Sequence, residues 1–131
     1  MKYAYPAILR PESGGFCVFF PDIEKGATQG DDLPDALNMA ADWLAGTLCD
    51  MESRKEELPK PSQCKALDTE EGDIVTLVYA DTIEYRRKFD NKAINKTLTI
   101  PNWLNTLAEE AEINFSQTLQ KALKKKLKLQ S

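Results

Sequence analysis

The sequence predicts an α+β chain in two modules, a small β-sheet backed by one packed helix in the order ββ(β)αβ, then one strand and two short helices. Three observations carry this prediction. Two runs rich in aromatic and β-branched residues flank a turn-prone spacer near the start, and a helical apolar period follows Asp31. Charge then divides the chain: residues 1–92 hold 11 Lys/Arg against 18 Asp/Glu, net −7, whereas residues 93–131 hold 6 against 3, net +3. Such asymmetry suggests two modules with different partners. The length of 131 residues fits one ordinary domain or a small domain with a shorter module, and the 42% hydrophobic content supplies a core.

Tyr3 to Leu9 and Gly15 to Phe20 read as a β-hairpin across the spacer Arg10-Pro11-Glu12-Ser13-Gly14. Pro6 has no N–H, which places the first strand at an edge or makes it irregular there, and Pro21-Asp22 ends the second. A short third strand fits near Ala27 to Gln29. Asp31-Asp32-Leu33-Pro34 is a helix start, with a carboxylate to cap free N–H groups and a proline tolerated in the first turn. Leu33, Leu37, Ala40, Leu44, Leu48 and Met51 then recur at spacings that line one helix face, across a Gly46 that costs about 1 kcal/mol relative to Ala. Ser53 to Gly72, polar and proline-bearing, reads as a connecting loop. Ile74 to Ala80 is nearly continuous in apolar residues, as in a strand covered on both faces. Residues 85–92 have no clean period and read as a linker, with Arg86-Arg87-Lys88 as solvated charge.

Beyond residue 93 the pattern alternates. Ile94, Leu98 and Ile100 fall on one side and Asn95, Thr97 and Thr99 on the other, with Lys96 interrupting the apolar side. Pro101 ends this strand and opens a helix through Trp103, Leu104, Leu107, Ala108 and Ala111; Asn114, three before Gln117, starts a second helix through Leu119, Ala122, Leu123 and Leu127 to a lysine-rich end. These 39 residues cannot bury enough apolar surface alone, and a lone strand leaves its backbone groups unpaired. A partner chain is implied. Two such strands paired antiparallel would bury the Ile94/Leu98/Ile100 side and expose a ribbon that fits the major groove of DNA.

Some chemistry is excluded. The chain has no histidine, so a Ser-His or Cys-His nucleophile pair and a His-bearing zinc site are impossible. Cys17, Cys49 and Cys64 form no C-x-x-C pair and suit a reducing compartment. The apolar stretch Tyr3 to Leu9 is too short for a signal peptide, and no run approaches the ~20 residues of a membrane span. A soluble cytoplasmic protein without metal or cofactor is expected.

Lys96-Thr97-Leu98-Thr99-Ile100-Pro101, Trp103-Leu104 and Ile113 to Leu119 resemble a ribbon-helix-helix DNA-binding domain. That resemblance implies that Asn95, Thr97 and Thr99 read bases while Asn114, Phe115 and Ser116 offer backbone N–H groups to a phosphate. Many members carry Arg or Lys on the reading strand where this chain has Asn and Thr. Upstream, Tyr5-Pro6-Ala7-Ile8, Gly14-Gly15-Phe16, Phe20-Pro21-Asp22, Thr28-Gln29-Gly30-Asp31, Leu33 and Ala36-Leu37 resemble the HicB antitoxin family. Glu24-Lys25-Gly26-Ala27 departs slightly from the Gly-Cys that many members carry. The resemblance implies a degenerate RNase H-like domain over 1–84 that binds HicA, a small basic ribonuclease toxin, a linker over 85–92, and a DNA-binding and dimerising domain over 93–131 that represses the operon. It implies a homodimer or higher oligomer on double-stranded operator DNA, with no catalytic residue and no membrane partner. Two alternatives stay open on the residues: a stand-alone ribbon-helix-helix regulator whose N-terminal domain oligomerises or senses a ligand, and a metal-dependent nuclease using Asp22, Glu24, Asp31 or Asp32.

Overall fold

The computed structural model describes residues 1–23 and 26–129, and its contacts group into two units, Met1–Lys92 and Ala93–Ser131. The first unit contains strands β1 (Lys2–Glu12), β2 (Gly15–Phe19) and β3 (Ala27–Gly30), helix α1 (Leu33–Ser53), a 3-10 turn (Cys64–Ala66), strand β4 (Ile74–Asp81) and helix α2 (Thr82–Phe89). The strands form one antiparallel sheet in the order β3-β2-β1-β4. Glu24, one of the carboxylates considered for nuclease chemistry, and the Glu24-Lys25 departure lie outside the described residues.

The hairpin turn is two residues, shorter than the spacer suggested. Ser13 and Gly14 both have positive φ, 37° and 83°, as a primed turn requires, and Glu12 faces Gly15 across it. Contrary to the reading of Pro6, β1 is an interior strand. The Thr82 N–H donates to the Met1 carbonyl at 2.9 Å, and in an antiparallel ladder the hydrogen-bonding direction alternates along the strand. Odd residues of β1 therefore face β4 and even residues face β2. Pairing with β2 stops at Ile8, so the missing donor of Pro6 points past the end of β2; pairing with β4 stops at Leu9, so Pro11 points past the start of β4. Neither proline removes a ladder bond.

One face of the sheet is covered by α1. Tyr5, Ala7 and Leu9 of β1, Val18 of β2, and Val78 and Ala80 of β4 meet Ala36, Ala40, Leu44, Ala45 and Leu48 of the helix, with Phe20 stacked on Trp43 at 5.3 Å. Asp32 caps α1, its carboxylate accepting from the Asp35 N–H at 2.8 Å. The apolar residues that mark the helix face are buried from Ala40 onward, with Leu44 and Leu48 in the core and Met51 packed against it, but Leu33 and Leu37 in the first turns are not. A Cβ on Gly30 would stand 2.3 Å from the Ala36 nitrogen, so helix and sheet approach too closely there for a large side chain. Ala36 and Ala40 take the inner face and Leu37 turns outward, 40% exposed. Nor is β4 covered on both faces. It is an outer strand, and while Val78 and Ala80 are buried, Leu77 and Tyr79 are 60% and 57% exposed.

Residues 85–89, read as linker, belong to α2. Asp81 accepts from the N–H groups of Ile83 (3.0 Å) and Glu84 (3.3 Å) to start it, and Arg86 donates to Glu52 of α1 at 3.0 Å. Gly46 leaves room for Tyr85, whose hydroxyl would lie 2.9 Å from a Cβ at that position. Long-range anchors thus hold a helix that local composition does not announce.

The second unit contains α3 (Asn102–Glu110) and α4 (Phe115–Lys126), joined through Glu112 at positive φ. Residues 93–100, expected as a strand, carry no regular secondary structure in the single chain. A strand exists only as part of a ladder, and nothing pairs with this segment here.

Candidate functional site

One side of residues 93–100 is polar and the other side is greasy and unfilled. Ile94 is 82% and Leu98 58% exposed, and no described residue of α3 or α4 is buried. A groove of about 700 Å³ runs along this face, lined by apolar Ile94, Leu98, Ile100, Phe115, Leu119 and Ala122. Asn95, Lys96, Asn105, Ser116 and Thr118 also line it. The structure thus brings Asn95, Phe115 and Ser116 to one groove. Thr97 and Thr99 are exposed outside its lining.

Asn114 caps α4, its side chain accepting from the Gln117 N–H at 3.1 Å. Phe115 and Ser116 follow in the first helical turn, where N–H groups have no partner within the helix. The Ser116 hydroxyl accepts from Gln120 at 3.1 Å, which leaves its O–H, beside the backbone N–H groups of this turn, to offer an anion. Lys124, Lys125 and Lys126 occupy the last turn.

In the first unit two of the carboxylates considered for metal chemistry, Asp22 and Asp32, are engaged structurally, while at Asp31 it is the backbone N–H that is bonded. Asp22 accepts from the Ser62 N–H at 2.8 Å and from its hydroxyl, pinning the 54–73 loop; Asp32 caps α1; and the Asp31 N–H donates to Asp35 at 2.9 Å. Among the described residues no three His, Cys, Asp or Glu side chains group as metal ligands. The polar cluster that does form joins β1, α1 and α2. Glu52 accepts from the Tyr3 hydroxyl at 2.7 Å, from Thr82 at 3.2 Å and from Arg86 at 3.0 Å. Burial and the bond to Glu52 push the Tyr3 phenol up to about 12. Burial pushes Glu52 upward as well, but the bonds from Tyr3 and Thr82 and the Arg86 charge outweigh it and hold the carboxyl below its ordinary range.

The acid of this unit is concentrated on α1 and its approach. Residues 26–53 contain Asp31, Asp32, Asp35, Asp42, Asp50 and Glu52 and no Lys or Arg. Beside α1 a second groove, about 520 Å³, lies at the C-terminal end of β4; its lining includes Ala41, Ala45, Tyr79, Tyr85 and Phe89, with Asp42, Asp81 and Glu84 and the cations Arg87 and Lys88. Sequence reading missed the open edge of this strand. Its signal, an uncharged run from Ile74 to Ala80, is the same for a strand buried on both sides and for one left open.

A helix-backed antiparallel sheet with a net acidic charge, followed by a basic helix pair with no core of its own, defines an α+β protein built from two units. Residues 4–84 match the family described as HicB-like antitoxin of bacterial toxin–antitoxin systems, and the chain belongs to that family. It is 43% identical over 58 residues to antitoxin HicB 1 of Photorhabdus laumondii, a match spanning 44% of this chain and 37% of that protein's length. Among solved structures it resembles a chain of a toxin–antitoxin complex from Streptococcus pneumoniae, with TM-score 0.62 and 33% identity over 96% of this chain and 99% of that one. It also resembles a chain of the HicA3 and HicB3 toxin–antitoxin complex, with TM-score 0.51 and 26% identity over 60% of this chain and 99% of the other. No helix among the described residues is long and apolar enough to cross a membrane.

Proposed function

We propose that this chain is a cytoplasmic type II antitoxin that sequesters a small basic HicA-type ribonuclease through its N-terminal unit, a degenerate RNase H-like domain, and represses its own operon through residues 93–131. The toxin half rests on family membership, on the toxin–antitoxin complexes among similar structures, and on the net −7 of residues 1–92, which suits a basic partner by steering and complementarity.

The observation that carries the repressor half is the unfilled apolar groove over Ile94, Leu98 and Ile100. A second copy, pairing its residues 93–100 antiparallel to these, fills that groove and closes a shared core in the ribbon-helix-helix manner. In that pairing Thr97 and Thr99, which lie outside the groove, form a ribbon toward the major groove of operator DNA, and Asn95, which lines the groove in the single chain, joins them as the strand forms. The first turn of α4, at Asn114, Phe115 and Ser116, then receives a flanking phosphate.

Isolation of the chain at native level through an N-terminal tag tests the toxin half. A stoichiometric small basic companion that degrades RNA once released is expected. Isolation of the chain alone, from cells that translate the neighbouring gene, contradicts it and leaves a stand-alone regulator. Operator affinity is expected to fall steeply with salt, each neutralised phosphate adding about 0.9 to the negative log–log slope; affinity flat across a salt titration contradicts the repressor half.

A further inference from the structure

We propose that the open edge of β4 is where the basic toxin docks, by adding one of its own strands to the sheet. This rests on the toxin reading above and assigns it a surface. Since Thr82 N–H bonds to Met1 O, the even residues of β4 point their backbone groups at β1, and Val75, Leu77 and Tyr79 point theirs outward. The edge therefore offers a row of donors and acceptors flanked by exposed Leu77 and Tyr79 side chains, which can grip alternate residues of an added strand.

From Ile74 to Ala80 it has no proline, lysine or other charge of the kind that blunts exposed edges. Charge selects the occupant. The groove at the end of the edge carries Asp42, Asp81 and Glu84 against Arg87 and Lys88, with Arg87 paired to Glu84, and the unit as a whole is −7, so a second copy of the same unit would be repelled and a basic strand drawn in.

The test uses the full chain co-expressed with the product of the reading frame adjacent to its gene. Amide hydrogen exchange at Val75, Leu77 and Tyr79 is expected to be fast in the free chain and at least roughly tenfold slower in the complex, while Thr76, Val78 and Ala80 stay slow in both. Leu77→Pro deletes an outward donor without touching the β1 ladder, and Tyr79→Lys sets a cation against the partner. Each is expected to weaken the complex at least roughly tenfold at unchanged melting temperature and operator affinity; if the proline variant fails to fold, the lysine variant decides. Outward amides still exchanging freely in an intact complex, or wild-type affinity in the lysine variant, overturns the proposal. So does concentration-dependent protection in the free chain, which assigns the edge to a second copy. No complex at all overturns the toxin reading, and this one with it.

Discussion

Gly30 shows how one residue selects the register of a helix on a sheet. Its missing Cβ lets β3 and the Ala36 backbone touch, and that contact sets which face of α1 looks inward. Gly30→Ala should cost about 1–3 kcal/mol in urea unfolding, the usual range for overpacking; wild-type stability would mean that the contact relaxes freely. Tyr3 and Glu52 give the residue scale a pH dependence. The Tyr3 phenol is raised from 10.0 to about 12, so its contribution is complete below pH 10 and is lost as pH rises through about 12. Glu52 is lowered, so its contribution holds at neutral pH and is lost as pH falls through the lowered value. The melting temperature of Tyr3→Phe should therefore lie below wild type near neutrality, with the gap closing above pH 10. A gap that stays constant into that range contradicts the coupling. Both caps, Asp32 and Asn114, were legible in the sequence because capping is settled within four residues. The tolerance of Pro6 was not, because it depends on where another strand stops.

At the scale of elements, α1 is the part whose packing holds the sheet. Leu44 is fully buried between helix and strands, and Leu44→Ala should cost about 2–5 kcal/mol, read by thermal or urea unfolding. The apolar spacing found this helix and its inner face at Ala40, Leu44, Leu48 and Met51, but at the first turns it chose Leu33 and Leu37 where Ala36 faces inward, because only a small side chain fits the closest approach. The α2 helix escaped the sequence because its warrant is tertiary: Tyr85 over Gly46 and Arg86 on Glu52 lie about forty residues apart in the chain. Residues 93–100 present the reverse case. Their alternation is plain in the sequence, yet the ladder it implies needs a second chain. Leu98→Lys, placing a charge in that seam, should reduce the particle to monomers by light scattering and abolish operator binding. A variant that stays paired and bound would show that the seam lies elsewhere.

The whole molecule is divided by charge as much as by contacts. The acidic 1–92 unit and the basic 93–131 unit each leave one apolar surface open, and the two surfaces call for different partners. The charge count shows an acidic front and a basic tail, but it does not itself place the boundary, for which the alternating pattern beyond residue 93 is the sequence signal. That β4 has an open edge is not legible in the sequence, since that depends on which strand of the sheet is outermost. The Leu98→Lys chain should accordingly still neutralise the toxin, because the two surfaces belong to separate units.

The most direct measurement is a titration of the ribonuclease activity of the neighbouring gene's product with the full-length chain. RNA cleavage should fall linearly to zero at one chain per toxin. Cleavage that persists at several-fold excess of this chain would contradict its role as an antitoxin.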